Sequence, residues 1–98
     1  MNTLPNIQDI QKTVSVLGSR YGAERIYLFG SYARGDAEEN SDIDLRIDKG
    51  AIRGLTMGYL LVDLEDALGK KVDLISTKCL RTDFLASIKD EEILLYEK

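Results

Sequence analysis

Short segments with strand-like patterns alternate with segments of helical periodicity along almost the whole chain, and this alternation restricts the fold more than any other feature. The clearest strand pattern runs from Asp42 to Asp48, where every second residue is apolar (Ile43, Leu45, Ile47) and the intervening residues are charged. Such alternation is typical of a strand with one buried face. The other predicted elements, in chain order, are a helix from Asn6 to Tyr21, a strand from Ile26 to Phe29, a short helix beginning within Ser31 to Arg34, a helix from Gly54 to Leu68, a strand from Val72 to Ile75, a helix from Thr82 to about Lys89, and a strand from Ile93 to Tyr96.

The helices are predicted from apolar stripes and from the residues that flank them. In the first helix, Pro5 suits the first turn and Gly22 suits the end. Gly69 is placed to end the Gly54–Leu68 helix in the same way. The predicted apolar positions are Ile7, Ile10, Val14 and Leu17 in the first helix, Met57, Leu61, Leu64 and Leu68 in the Gly54–Leu68 helix, and Phe84, Leu85 and Ile88 in the last. The pattern predicts one α/β (α+β) domain over residues 1–98, a small mixed sheet flanked by helices.

Composition excludes several kinds of chemistry. The chain of 98 residues has no histidine and a single cysteine, Cys79. Ser-His-Asp and Cys-His catalysis are therefore excluded, as are the common zinc sites. A net charge of −4 argues against a large nucleic-acid footprint, so nucleic acid is not expected as a direct substrate. Met1 to Gln8 lack a signal-peptide pattern and no apolar run approaches about 20 residues, so we predict a cytoplasmic protein without a membrane span.

Gly30-Ser31 directly follows the predicted strand Ile26–Phe29 and precedes a helical turn. Glycine permits a close approach of the backbone to a ligand, and serine adds a hydroxyl donor. The pair could bind phosphate groups, although a Gly-Ser sequence in isolation is usually only a turn.

Three aspartates add a possible metal site. Asp42 and Asp44 are two residues apart on a strand and so project from one face, where their carboxylates could share hard cations. Asp73 lies in an otherwise apolar strand, where an unpaired carboxylate is costly if buried. Taken singly, each has an ordinary alternative: Asp42 and Asp44 on a solvated strand face, and Asp73 pointing to solvent from an edge or pairing with Lys70 or Lys71.

Together, these features favour two-metal phosphoryl transfer. Asp42 and Asp44 could hold both ions, Asp73 could complete the ion that activates a hydroxyl, and Gly30-Ser31 could bind the phosphates that leave. The chain has no Walker A sequence, so a P-loop enzyme is excluded.

The ordered set of motifs resembles the DNA polymerase β-type nucleotidyltransferases and, more narrowly, the minimal nucleotidyltransferases of prokaryotic toxin–antitoxin pairs. The motifs that carry the resemblance are Gly30-Ser31-Tyr32-Ala33-Arg34-Gly35, Ser41-Asp42-Ile43-Asp44-Leu45 and Val72-Asp73-Leu74-Ile75. The resemblance covers about Ile26 to Tyr96, and implies a polymerase β palm-like fold. The chain departs from the family at Glu92, where family members often have glycine before the last strand.

The resemblance implies that Gly30 and Ser31 bind the triphosphate and that Asp42, Asp44 and Asp73 are the catalytic carboxylates and ligands of two Mg²⁺ ions. Arg34 could contact phosphate or anchor the helix through a salt bridge. The implied activity is transfer of AMP from ATP to a tyrosine hydroxyl of a HEPN-type ribonuclease toxin, which makes the chain an antitoxin. Two alternatives remain: a non-catalytic antitoxin that masks its partner, and a transferase for a small molecule of the aminoglycoside type. The preferred nucleobase and possible homo-oligomerisation stay open.

Overall fold

A computed structural model describes residues 4–98 and contains one four-stranded sheet with helices around it. The prediction that Met1–Gln8 lack a signal peptide concerns a segment that lies partly outside the described residues. None of the helices in residues 4–98 is long and apolar enough to cross a membrane. The elements are α1 (Ile7–Tyr21), β1 (Arg25–Phe29), α2 (Ser31–Arg34), β2 (Ile43–Asp48), α3 (Thr56–Leu68), β3 (Val72–Ser76), a 3₁₀ turn (Thr77–Cys79), α4 (Thr82–Ile88) and β4 (Ile93–Glu97).

The sheet has the strand order β3-β2-β1-β4. β1 pairs antiparallel with both β2 and β4, whereas β2 and β3 run parallel. The parallel pair is connected through α3, as such a crossover requires. The predicted mixed sheet is confirmed, and its order places the two aspartate-bearing strands next to each other.

Helix α1 ends at Gly22 as predicted, but it begins one residue later than predicted, at Ile7. Asn6 caps α1, because its side-chain oxygen accepts the amide N–H of Asp9 at 2.7 Å. Gly22 ends the helix in the left-handed conformation, with φ of 84°. The prediction that Pro5 lies in the first turn is wrong, because Pro5 precedes the cap.

The hydrophobic core lies between the sheet and helices α1 and α3. Ile43, Leu45 and Ile47 of β2 are fully buried there, as the alternation predicts. In α3 the most buried residues are Leu60 and Leu64, whereas Met57, Leu61 and Leu68 lie at the margin of the core. All four residues of the predicted stripe therefore contact the core, but the prediction omits Leu60, which is fully buried.

The opposite face of the sheet buries a charged residue, Arg46. Its guanidinium pairs with both carboxylate oxygens of Glu92, at 2.7 and 3.0 Å, and donates to the Thr77 hydroxyl at 3.0 Å. It also stacks 3.9 Å above the ring of Tyr27. Glu92, the residue at which the chain departs from the family, therefore provides the carboxylate partner of the buried Arg46. This pair joins the start of β4 to β2.

Candidate active site

A cleft of about 500 Å³ opens on the sheet face that carries Asp44, where β1 ends and where β2 and β3 begin. Helix α4 forms the other wall. The cleft is lined by Phe29, Gly30, Ser31, Arg34, Ser41, Asp42, Asp44, Asp73, Phe84, Ser87, Ile88 and Glu91. All six predicted site residues are therefore brought together from three separate stretches of the chain.

Asp44 and Asp73 are direct neighbours across the parallel strands β2 and β3. Their carboxyl groups lie close enough for protonated Asp44 to donate a hydrogen bond to Asp73. Burial, the Asp73 charge and this hydrogen bond, with a smaller contribution from Asp42, raise the pKa of Asp44 from 3.8 to about 6. Two carboxylates held this close repel each other when both are ionised, so the pair is suited to binding a cation or a proton.

Asp42 and Asp73 lie in different surroundings from those of Asp44. Asp42 immediately precedes β2 and is partly buried, so the predicted strand begins one residue too early. Asp73 is exposed on the edge strand β3, yet it faces the cleft. Lys70, a possible partner for Asp73, instead donates to the backbone carbonyl of Glu39 at 2.5 Å.

Gly30 has a backbone conformation that other residues adopt only with strain, with φ of 78° and ψ of −154°. A Cβ atom at this position would lie 2.2 Å from Oδ2 of Asp44. The absence of a side chain therefore allows the turn between β1 and α2 to approach the carboxylate pair. This steric requirement explains why glycine, and not merely a turn-forming residue, precedes Ser31.

The sequence left two roles open for Arg34, contact with phosphate or a salt bridge that anchors the helix. In the structure Arg34 forms two ion pairs. Its guanidinium lies 3.3 Å from a carboxylate oxygen of Asp36 and 3.3 Å from Oε2 of Glu91. The same Oε2 atom accepts the backbone N–H of Gly30 at 2.8 Å. Glu91 thus binds the turn and Arg34 at once.

Sequence reasoning missed Glu91 and the role of Phe84. Glu91 lies in a polar run of three acidic residues between α4 and β4, which has no periodicity to distinguish it. Phe84 was predicted as an apolar contact of its helix. It packs edge to face against Phe29, with ring centroids 5.9 Å apart, but remains 40% exposed on the cleft wall.

The charges in the cleft suit a divalent cation. Four carboxylates and one guanidinium line it, so a polyphosphate would be repelled unless cations accompanied it. Within residues 4–98 no group of three or more acidic or thiol side chains is arranged as a ready-made metal site. Mg²⁺ does not need one, because it usually binds through one or two carboxylates together with substrate phosphates. The paired oxygens of Asp44 and Asp73 fit that mode.

Comparisons with known proteins agree with this architecture. The family model described as "Polymerase beta, Nucleotidyltransferase" matches residues 11–98. The protein adenylyltransferase MntA of Thermococcus cleftensis is 35% identical over 95 residues, which cover 95% of this chain and 96% of the relative.

Two solved structures share the fold. A toxin–antitoxin structure with AMP-PNP matches with a TM-score of 0.75 and 25% identity, covering 90% of this chain and 73% of the other. A complex of a tri-AMPylated Shewanella oneidensis HEPN toxin with an MNT antitoxin matches with a TM-score of 0.68, covering 93% of this chain and 72% of the other. Its identity is 22%, so it supports the fold alone.

The chain belongs to the polymerase β nucleotidyltransferase family. It is a nucleotidyltransferase, and the enzyme class and fold predicted from the motifs are confirmed.

Proposed function

We propose that this chain transfers AMP from ATP to a hydroxyl group of a HEPN-type toxin and thereby acts as its antitoxin. The observation that carries the proposal is the cleft in which the Asp44–Asp73 pair lies beside the Gly30–Ser31 turn. The MntA relative is named a protein adenylyltransferase, and one similar structure is a toxin–antitoxin pair with an ATP analogue, which supports both the reaction and the kind of partner. The reaction uses ATP and Mg²⁺, in keeping with the cytoplasmic location predicted from the sequence.

Asp42, Asp44 and Asp73 would hold Mg²⁺, with two ions as the resemblance implies. When bound, the ions would supply charge neutralisation for the triphosphate and lower the pKa of the attacking hydroxyl. The carboxylates would contribute the oxygen ligands, and the mutual repulsion of Asp44 and Asp73 when both are ionised favours the binding of a cation.

Different residues of the cleft would bind different parts of the two substrates. Gly30 lets the turn approach closely, so that the Ser31 hydroxyl can donate to the β- and γ-phosphates. Asp73 lies on the exposed edge strand, where an acceptor hydroxyl from another protein has access to it. The acceptor oxygen forms a bond to the α-phosphorus and gives up its proton to solvent, while the bond between the α-phosphorus and the α–β bridging oxygen breaks and pyrophosphate leaves with that oxygen.

Ser31 is assigned a binding role and not a nucleophilic one, because the chain has no histidine to activate it. S31A should weaken use of the nucleotide but leave measurable turnover. A covalent nucleotide on Ser31 would contradict the assignment.

The test uses the purified chain, a purified HEPN-type toxin as the acceptor, and each of the four nucleoside triphosphates with Mg²⁺. We expect pyrophosphate release that depends on the partner, is greatest with ATP and stops in excess EDTA. D66N is a matched control, because Asp66 is an exposed aspartate of α3 outside the cleft. Release that continues in EDTA, or that is unchanged in D44N, would refute the proposal.

A further inference from the structure

We infer that Glu91 is a positioning residue for the nucleotide, because it fixes the Gly30–Ser31 turn and Arg34 in the arrangement that receives the phosphates. The inference rests on the proposed function and extends it to a residue outside the three motifs. It assigns the polar connection between α4 and β4 a part in nucleotide binding.

The contacts that carry the inference come from one carboxylate group. Oε2 of Glu91 accepts the Gly30 N–H at 2.8 Å and lies 3.3 Å from the Arg34 guanidinium, while Oε1 lies 3.4 Å from the same group. The Glu91 side chain is 24% exposed and its bond to Gly30 is partly buried, whereas Arg34 is 48% exposed, so water screens the ion pair more than the bond to the turn. Hydrogen bonds to an ionised acceptor are among the stronger ones in proteins.

The backbone at Gly30 explains why such a support is needed. Glycine adopts this conformation without strain, but it has more conformational freedom than any other residue, so a specific contact is needed to select one arrangement of the turn. The next residue, Ser31, carries the hydroxyl proposed to bind phosphate. A carboxylate from the other side of the cleft, 61 residues away in the sequence, therefore fixes the position of the turn.

Glu91 could instead occupy the place of a phosphate and have to leave when the nucleotide binds. The two roles make opposite predictions for nucleotide affinity. If Glu91 supports the turn, removing its carboxylate weakens nucleotide binding. If Glu91 competes with a phosphate, removing its carboxylate strengthens nucleotide binding. The sign of the change in the Kd for ATP with Mg²⁺ thus separates them without any need for turnover.

The experiment measures the Kd for ATP with Mg²⁺ by calorimetry in wild type, E91A and E91Q, and then kcat and KM for ATP with the partner. We expect E91A to raise Kd and KM about tenfold, the loss of one charge-assisted hydrogen bond. E91Q keeps an acceptor for the Gly30 N–H and loses only the charge opposite Arg34, so its Kd should rise about threefold. Both variants should keep kcat within about a factor of three, because the carboxylate pair is untouched.

E97A is the matched control. Glu97 also pairs with an arginine, Arg25, at 3.1 Å, but at the opposite end of β1 from the turn. The Kd of E97A for ATP with Mg²⁺ should equal that of wild type.

The inference is overturned if E91Q binds ATP as tightly as wild type or more tightly, and E91Q decides the question even if E91A does not fold. It is also overturned if kcat falls tenfold while Kd is unchanged. If wild type binds ATP but does not modify the partner, the proposed function fails, whereas the order of the Kd values still tests the role of Glu91.

Discussion

Replacing Asp44 by asparagine should stabilise the protein in the absence of divalent cations while abolishing its activity. In the fold the pKa of Asp44 is raised from 3.8 to about 6, so ionised Asp44 costs free energy of folding above pH 6. The shift of about two units corresponds to at most about 3 kcal/mol. Because the carboxyl group is only partly buried, screening by solvent reduces this to about 1–2 kcal/mol.

The asparagine amide is uncharged and can donate to the Asp73 carboxylate, so D44N removes the repulsion between the two side chains. For a domain of this size, we expect D44N to raise Tm by about 5–10 °C at pH 8 in EDTA. The advantage should disappear near pH 4, because wild-type Asp44 is then protonated and no longer costs stability. Mg²⁺ should stabilise wild type more than D44N.

The assay is thermal unfolding followed by circular dichroism at pH 8 and pH 4, with and without Mg²⁺. D66N serves as the control and should leave Tm unchanged within about 2 °C, as surface substitutions usually do. A D44N variant that is less stable than wild type at pH 8 in EDTA would refute the reasoning that the carboxylate pair is under electrostatic strain.

Three further variants test separate parts of the account. G30A should lose at least about 2 kcal/mol of stability and fail to bind ATP, because its Cβ would lie 2.2 Å from Oδ2 of Asp44; urea unfolding and calorimetry measure both. D73N should still bind ATP and the partner but no longer neutralise it; a pull-down beside a co-expression growth assay checks this, and full protection by D73N would favour masking over catalysis. E92A should cost about 3 kcal/mol in urea unfolding, because it removes the two-point carboxylate partner of the buried Arg46 guanidinium and leaves only Asp48, at 3.7 Å; a loss below 1 kcal/mol would contradict the importance of the Arg46–Glu92 pair.

Sequence patterns predicted the elements because their signals are local. The alternation around Asp44 and the glycines at the ends of α1 and α3 depend only on neighbouring residues. The stripe of α3 was harder, since Leu60 and Leu61 are both apolar and only the packing against the sheet decides which is buried.

The contacts that complete the site join distant parts of the chain. Glu91 meets Gly30 only because β4 pairs with β1 at the edge of the sheet, and the sequence carries no signal for that pairing. Arg46 was predicted on the charged face of its strand, but its burial depends on Glu92 and Tyr27 from two other strands or their flanks. Motifs therefore indicate the carboxylates and the turn, whereas the residues that support them require the tertiary structure.

The measurement that tests the central claim most directly is the intact mass of the partner toxin after incubation with this chain, ATP and Mg²⁺. The account predicts that wild type adds one or more AMP groups to the toxin and that D44N adds none. An unmodified toxin whose ribonuclease activity is nevertheless fully suppressed by the wild-type chain would contradict it.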